Sequence, residues 1–156
     1  MKMKKGWEYA AWAGSALAVG GIAGLLIREG IGNFQANVEK PPLTPPMWVF
    51  PVVWTVLYLL MGLGAARVRR SGQEVLLPLT VYWIQLGVNF CWPLLFFNRG
   101  AYLLSLGWLV GLWVLVAAMT WLFWKADRAA ALMQVPYLIW LLFAAYLNYG
   151  VWVLNR

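Results

Sequence analysis

Five apolar stretches, each about as long as a bilayer is thick, leave this chain few ways to fold. They cover residues 7–27, 47–66, 75–97, 101–124 and 129–154. Short polar pieces separate the last four: Arg67, Arg69, Arg70 and Gly72, then Asn98-Arg99-Gly100, then Lys125-Ala126-Asp127-Arg128. In hydrocarbon the backbone has no partner but itself, so only helices and closed barrels can cross. The ten-residue alternation of a barrel strand is absent, which leaves helices. The sequence predicts an all-α membrane protein. Residues 1–156 form one domain, a bundle of five transmembrane helices with a long proline-rich loop between helices 1 and 2. The chain is 63% hydrophobic and 11% charged, with mean hydropathy +0.71. A soluble domain is about half apolar and a quarter charged.

Lys2, Lys4 and Lys5 precede the first apolar run, as in a signal peptide. That run is a full span and four more follow, so it is expected to stay as helix 1. Five spans put the termini on opposite sides. Eight of the 12 basic residues then fall on the N-terminal side: Lys2, Lys4, Lys5, Arg67, Arg69, Arg70, Lys125 and Arg128. Arg28, Lys40, Arg99 and Arg156 fall on the other. The excess of Lys and Arg predicts a multi-pass protein with a cytoplasmic N-terminus, if the membrane is a bacterial plasma membrane, and an outward-facing proline loop. In so apolar a chain the net charge of +7 points to lipid head groups and not to nucleic acid.

Several chemistries are excluded by what is missing. There is no His and one Cys, which removes the usual general base, haem ligand and cysteine-rich metal cluster. The five carboxylates, Glu8, Glu29, Glu39, Glu74 and Asp127, are scattered. No metal site is expected, and no carboxylate pair or His relay exists for ion-coupled transport.

Lys40 to Tyr58 is the candidate functional stretch. Pro41, Pro42, Pro45 and Pro46 forbid a helix before Met47, because proline lacks the amide donor and restricts its predecessor. Trp48, Phe50, Trp54 and Tyr58 then recur along helix 2. Residues 28–46 read as a long polar connection, of the length that often carries function. On helix 3, Gln85, Asn89 and Trp92 share one face. On helix 5, Trp140, Phe143, Ala144, Leu147 and Asn148 share another, with a small residue among large ones. Such amides and aromatics either pack the helices together or line a pocket for a flat molecule. Ala10, Gly14 and Ala18, and separately Gly20 and Gly24, recur four apart on helix 1. They allow close packing inside the bundle or against a second copy.

Three blocks resemble the translocator protein and tryptophan-rich sensory protein (TspO/MBR) family, and the short chain without a basic C-terminal extension reads as a bacterial member. KPPLTPPMWVFPVVWTVLYLLMG, residues 40–62, is similar to that family's KPxWxPPxWxF…W…LY…G. QLGVNFCWPLLFF, residues 85–97, is similar to QLxxNxxWxxxFF, and PYLIWLLFAAYLN, residues 136–148, to PYLxWxxFAxxLN. The resemblance implies a five-helix bundle that forms homodimers. It also implies a pocket under the first loop for tetrapyrroles such as protoporphyrin IX and for isoquinoline or benzodiazepine drugs. Carried over by motif, the ligand-binding residues are Trp48, Trp54, Tyr58, Asn89, Phe90, Trp92, Trp140, Phe143, Ala144, Leu147 and Asn148, and Gln85 joins them on the helix 3 face. Trp54 and Trp140 match the tryptophans tied to porphyrin breakdown in bacterial members.

This chain departs from the pattern at Leu43, where the family has an aromatic. Asn33-Phe34-Gln35-Ala36-Asn37 also replaces a frequent Trp-Tyr pair. No Lys or Arg stands within about five residues after Tyr149, so the sterol pattern of animal members is not met.

The resemblance thus implies a membrane tetrapyrrole-binding protein acting in porphyrin transport, sensing or stress regulation. Its partners would be porphyrins and lipid, with porphyrin as ligand or substrate and no cofactor required. One alternative is a light- and oxygen-dependent porphyrin-degrading enzyme using Trp54 and Trp140, without any conventional catalytic constellation. Another is a structural or partner-binding bundle whose aromatics only pack.

Overall fold

The structure, a computed structural model, describes residues 5–156. Lys2 and Lys4 of the basic N-terminal segment lie outside the described residues. Seven α-helices follow in order: α1 (Lys5–Leu26), α2 (Arg28–Asn37), α3 (Val49–Arg69), α4 (Leu76–Pro93), α5 (Tyr102–Ala126), α6 (Arg128–Leu132) and α7 (Val135–Leu154). No strand occurs among the described residues. Five segments are long and apolar enough to cross a membrane: Gly6–Leu26, Val49–Arg69, Leu76–Asn98, Tyr102–Ala126 and Arg128–Leu154. Large apolar side chains on the outside, such as Ile22, Val56, Val114 and Leu142, lie where lipid would meet them. α1 runs along α3, and α5 packs between α4 and α7.

The α1–α3 contact depends on glycine. A Cβ on Gly62 would strike the α1 backbone at Trp12 and Ala13, and one on Gly20 would strike the Tyr58 ring. α4 ends at Pro93 and widens into a π-helical turn over Leu94–Asn98. Proline brings no amide to the ladder, and the turn is closed by the Arg99 N–H on the Leu94 carbonyl at 3.2 Å.

The connection from residue 28 to residue 46 is not irregular throughout. Its first ten residues, Arg28–Asn37, form α2. The prolines begin only at Pro41, so nothing forbids a helix before them. Ile31 and Phe34 stand three apart on it, and the buried Phe34 ring meets Phe96 and Phe97 at 5.4 and 5.2 Å. That apolar contact outweighs the polar composition that suggested a loop. The non-helical part is Val38 to Trp48. It is stapled to α7: the Asn155 side chain donates to the Glu39 carbonyl at 2.8 Å and accepts from the Glu39 N–H at 3.0 Å. The Tyr146 hydroxyl donates to the Pro42 carbonyl at 2.8 Å, and the buried Pro41 ring lies against Gly150. Leu43 takes a left-handed φ of 67° and leaves its side chain exposed at the loop tip.

The opposite end is held by ion pairs. Arg67 grips Asp127 through two bonds, at 3.1 and 2.9 Å, and Arg70 meets Glu8 at 2.6 Å. Asp127 also accepts from the Ala130 N–H at 2.8 Å and so caps α6.

Candidate functional site

Under the proline loop, between α1, α3 and the end of α4, lies a cavity of about 610 Å³. Ligand pockets are typically some 300–1,000 Å³, mostly apolar with a few placed polar groups. One wall is the aromatic face of α3 and α4. The Trp54 ring lies 5.7 Å from Tyr58, 6.5 Å from Trp92 and 6.1 Å from Tyr137. The facing wall is α1, with Leu17, Gly20, Gly21 and Gly24. Trp48, exposed at the start of α3, stands at the rim.

The polar groups at the back of this cavity are bonded to one another. The Tyr58 hydroxyl donates to Asn89 Oδ1 at 2.6 Å, and Asn89 Nδ2 donates to the Tyr137 hydroxyl at 2.6 Å. Tyr137 donates to Gln85 Oε1 at 3.0 Å, and Gln85 Nε2 points at the Met61 sulfur, 3.8 Å away. All five side chains are buried. Amides in an apolar interior need partners, and this chain of bonds supplies them across three helices. Asn148 belongs to a second network. Its Oδ1 accepts from Trp92 Nε1 at 3.1 Å and from the Ser105 hydroxyl at 3.0 Å, and its Nδ2 donates to the Tyr102 carbonyl at 2.8 Å.

The sequence-predicted residues therefore fall into groups. Trp48, Trp54, Tyr58, Asn89 and Trp92 line the large cavity. Ala144, Leu147 and Asn148 line a neighbouring space of only about 30 Å³. Met47, Phe50, Trp92 and Phe97 border both spaces and divide them. Trp140 borders neither: it packs behind Phe50, with ring centroids 5.9 Å apart, and beside Phe143 at 5.4 Å. Its indole N–H is buried with no partner among the described residues. Phe90 and Phe143 border neither space, and Gln85 is reached only through Tyr137.

The sequence reading missed α1 as a wall, and it missed Tyr137 as the centre of the polar chain. The glycine spacing on α1 was visible, and the structure divides it. Gly20 packs internally, Gly24 borders the cavity, and Gly14 faces outward with open space beside it. No group of three or more metal-binding side chains occurs among the described residues.

A helical bundle that crosses the membrane five times and encloses an aromatic-walled cavity defines a multi-pass integral membrane protein with an internal chamber. The model of the TspO/MBR family matches residues 12–153, and the chain belongs to that family. It is 40% identical over 143 residues to the "Protein CrtK" of Rhodobacter capsulatus, covering 90% of this chain and 88% of that one. It is 34% identical over 145 residues to the "Tryptophan-rich protein TspO" of Chlorobaculum tepidum, covering 91% and 92%. It is 36% identical over 150 residues to the "Translocator protein" of Bos taurus, covering 89% and 85%.

Proposed function

We propose that this protein binds tetrapyrroles of the protoporphyrin IX type within the bilayer and acts in their transport, sensing or stress regulation. One observation carries the reading: an apolar cavity of about 610 Å³ with the Trp54 face on one side and side-chain-free glycines on the other. A flat macrocycle stacks on an indole, and glycine lets its second face lie close to a helix backbone. The chain has no His, which suits a metal-free porphyrin. The buried, unpartnered Trp140 N–H supports a polar ligand atom reaching past Phe50, since such donors normally find an acceptor. The same cavity would take isoquinoline or benzodiazepine drugs, and the reading extends to a homodimer.

The test is porphyrin quenching of protein fluorescence. Trp54→Phe is expected to weaken protoporphyrin IX binding by about tenfold, the loss of one good aromatic contact. Trp140→Phe alone should act less, because Phe50 stands between it and the cavity. Unchanged binding in the double variant would overturn the assigned pocket.

A second reading is favoured by the rings around Trp54. Tyr58, Trp92 and Tyr137 all lie within 6.5 Å of it, centroid to centroid. They offer a path for an electron passed to a photo-excited porphyrin, with oxygen as co-reactant. Illuminated protein should then bleach the porphyrin faster than free indole does, and Trp54→Phe should remove the difference.

A further inference from the structure

We propose that the cavity takes its ligand sideways from the bilayer, through a gap between α1 and α3 edged by Gly21 and Gly24 on one side and Pro51 and Thr55 on the other. The ligand's identity rests on the function proposed above; the gap does not.

α1 and α3 are antiparallel neighbours, with close approaches at Gly62 and Gly20. At Gly62 the α1 backbone lies against α3, and at Gly20 the Tyr58 ring fills the space. Beyond that point no α3 side chain closes on the glycines of α1. A Cβ placed on Gly21 or on Gly24 would meet no atom within 4 Å. Both glycines nevertheless border the cavity, as do Pro51 and Thr55 of α3. All four are exposed. The side chains next to them on the outer surface, Ile22 and Leu25 on α1 and Val52 and Val56 on α3, are exposed and apolar. The opening therefore continues into the face that lipid covers. Thr55 stands about 9 Å along α3 from Val49, at 1.5 Å per residue, so the gap reaches into the span and is not confined to its rim.

The chemistry of the edge fits a membrane-dissolved guest. The Thr55 hydroxyl donates to the Pro51 carbonyl at 2.7 Å, so its polarity is satisfied within α3. The glycines add no polar side chain. An ionised group passing this edge would lose hydration with no bond to replace it, so a flat guest that carries carboxylates passes ring first, with those groups left at the head-group level. The loop side is less open to passage, because Asn155, Tyr146 and Gly150 pin residues 39–42 onto α7.

The experiment compares Gly24→Leu with Gly14→Leu in vesicles. Gly14 is an outward-facing α1 position with nothing within 4 Å of a Cβ, and it serves as the control for folding and insertion. Protoporphyrin IX is delivered from donor vesicles and followed by stopped-flow quenching. In Gly24→Leu the association rate should fall by about tenfold, the signature of a narrowed passage, whatever Kd does at this wall position. Gly14→Leu should match the wild type. A weaker Kd with an unchanged association rate would make Gly24 merely a wall and overturn the passage.

A second measurement needs no porphyrin. A bimane label on Leu17→Cys, inside the cavity, in a Cys91→Ser background, is exposed to phosphatidylcholine brominated on its acyl chains. Quenching that disappears when Gly24→Leu is added supports the gap. Quenching by aqueous iodide and not by the brominated lipid sinks it. If the wild type binds no porphyrin but passes this second measurement, the proposed function falls and the lateral opening stands.

Discussion

Asn89 holds two tyrosines at once, accepting a hydrogen bond from Tyr58 and donating one to Tyr137. Removing either hydroxyl leaves a buried amide group without its partner. Tyr58→Phe is expected to lower stability by about 1 kcal/mol, since side-chain hydrogen bonds inside membranes contribute up to about 1.7 kcal/mol. Tyr137→Phe loses two bonds and should cost about twice as much by the same reckoning, read as the midpoint of thermal unfolding in detergent. An unchanged midpoint in Tyr137→Phe would contradict the network. Gln85 and Asn89 were legible as one face of a helix because they stand four apart. Their common partner was not, because Tyr137 lies 48 and 52 residues away in the chain.

At the scale of elements, the loop is held by Asn155 and Tyr146, and α6 is capped by Asp127. Asn155→Ala removes both bonds to Glu39. The Glu39 amide should then exchange with solvent about tenfold faster, the equivalent of one or two net hydrogen bonds. Exchange at the wild-type rate would show that the Tyr146–Pro42 bond and the Pro41–Gly150 contact hold the loop without Asn155. Asp127 both pairs with Arg67 and caps α6. Partial burial works against its charge, but the Arg67 hydrogen bond and the backbone N–H groups of α6 outweigh it and hold its carboxyl below the usual range. The folded value lies below the unfolded one, so the stabilisation is complete above the ordinary carboxylate range. It is lost as pH falls through the folded value. The unfolding midpoints of wild type and Asp127→Asn should therefore differ at neutral pH and converge in acid. A difference that does not change with pH would contradict a role for the Asp127 charge. The helices themselves were legible from apolar length. α2 was not, because its stability comes from Phe34 finding Phe96 and Phe97, a contact that local composition does not display.

At the scale of the molecule, the basic residues separate by end. Arg67, Arg70, Asp127 and Glu8 meet at one end, while Glu39 and Asn155 meet at the other. With Arg69, Lys125 and Arg128 placed beside the first group by chain position, the proposed orientation has the N-terminus in the cytoplasm. A reporter fused to that terminus in bacteria should be active only if it works in the cytoplasm, and the opposite result would invert the assignment. That the chain crosses a membrane five times is decided by residue order alone. About twenty mostly apolar residues in a row suit hydrocarbon, and without a barrel's alternation they cross it as a helix. The prolines at 41, 42, 45 and 46 settle the non-helical loop in the same local way. Where the cavity opens is decided by packing. Trp54 and Trp140 were both expected to line the pocket, yet Trp140 packs behind Phe50 and borders neither space, and the wall opposite Trp54 is the glycine face of α1. A bare glycine face reads the same in sequence whether it fits a neighbour or leaves a space. Only the packing of α1 on α3, close at Gly62 and at Tyr58 on Gly20, makes it a wall of the chamber.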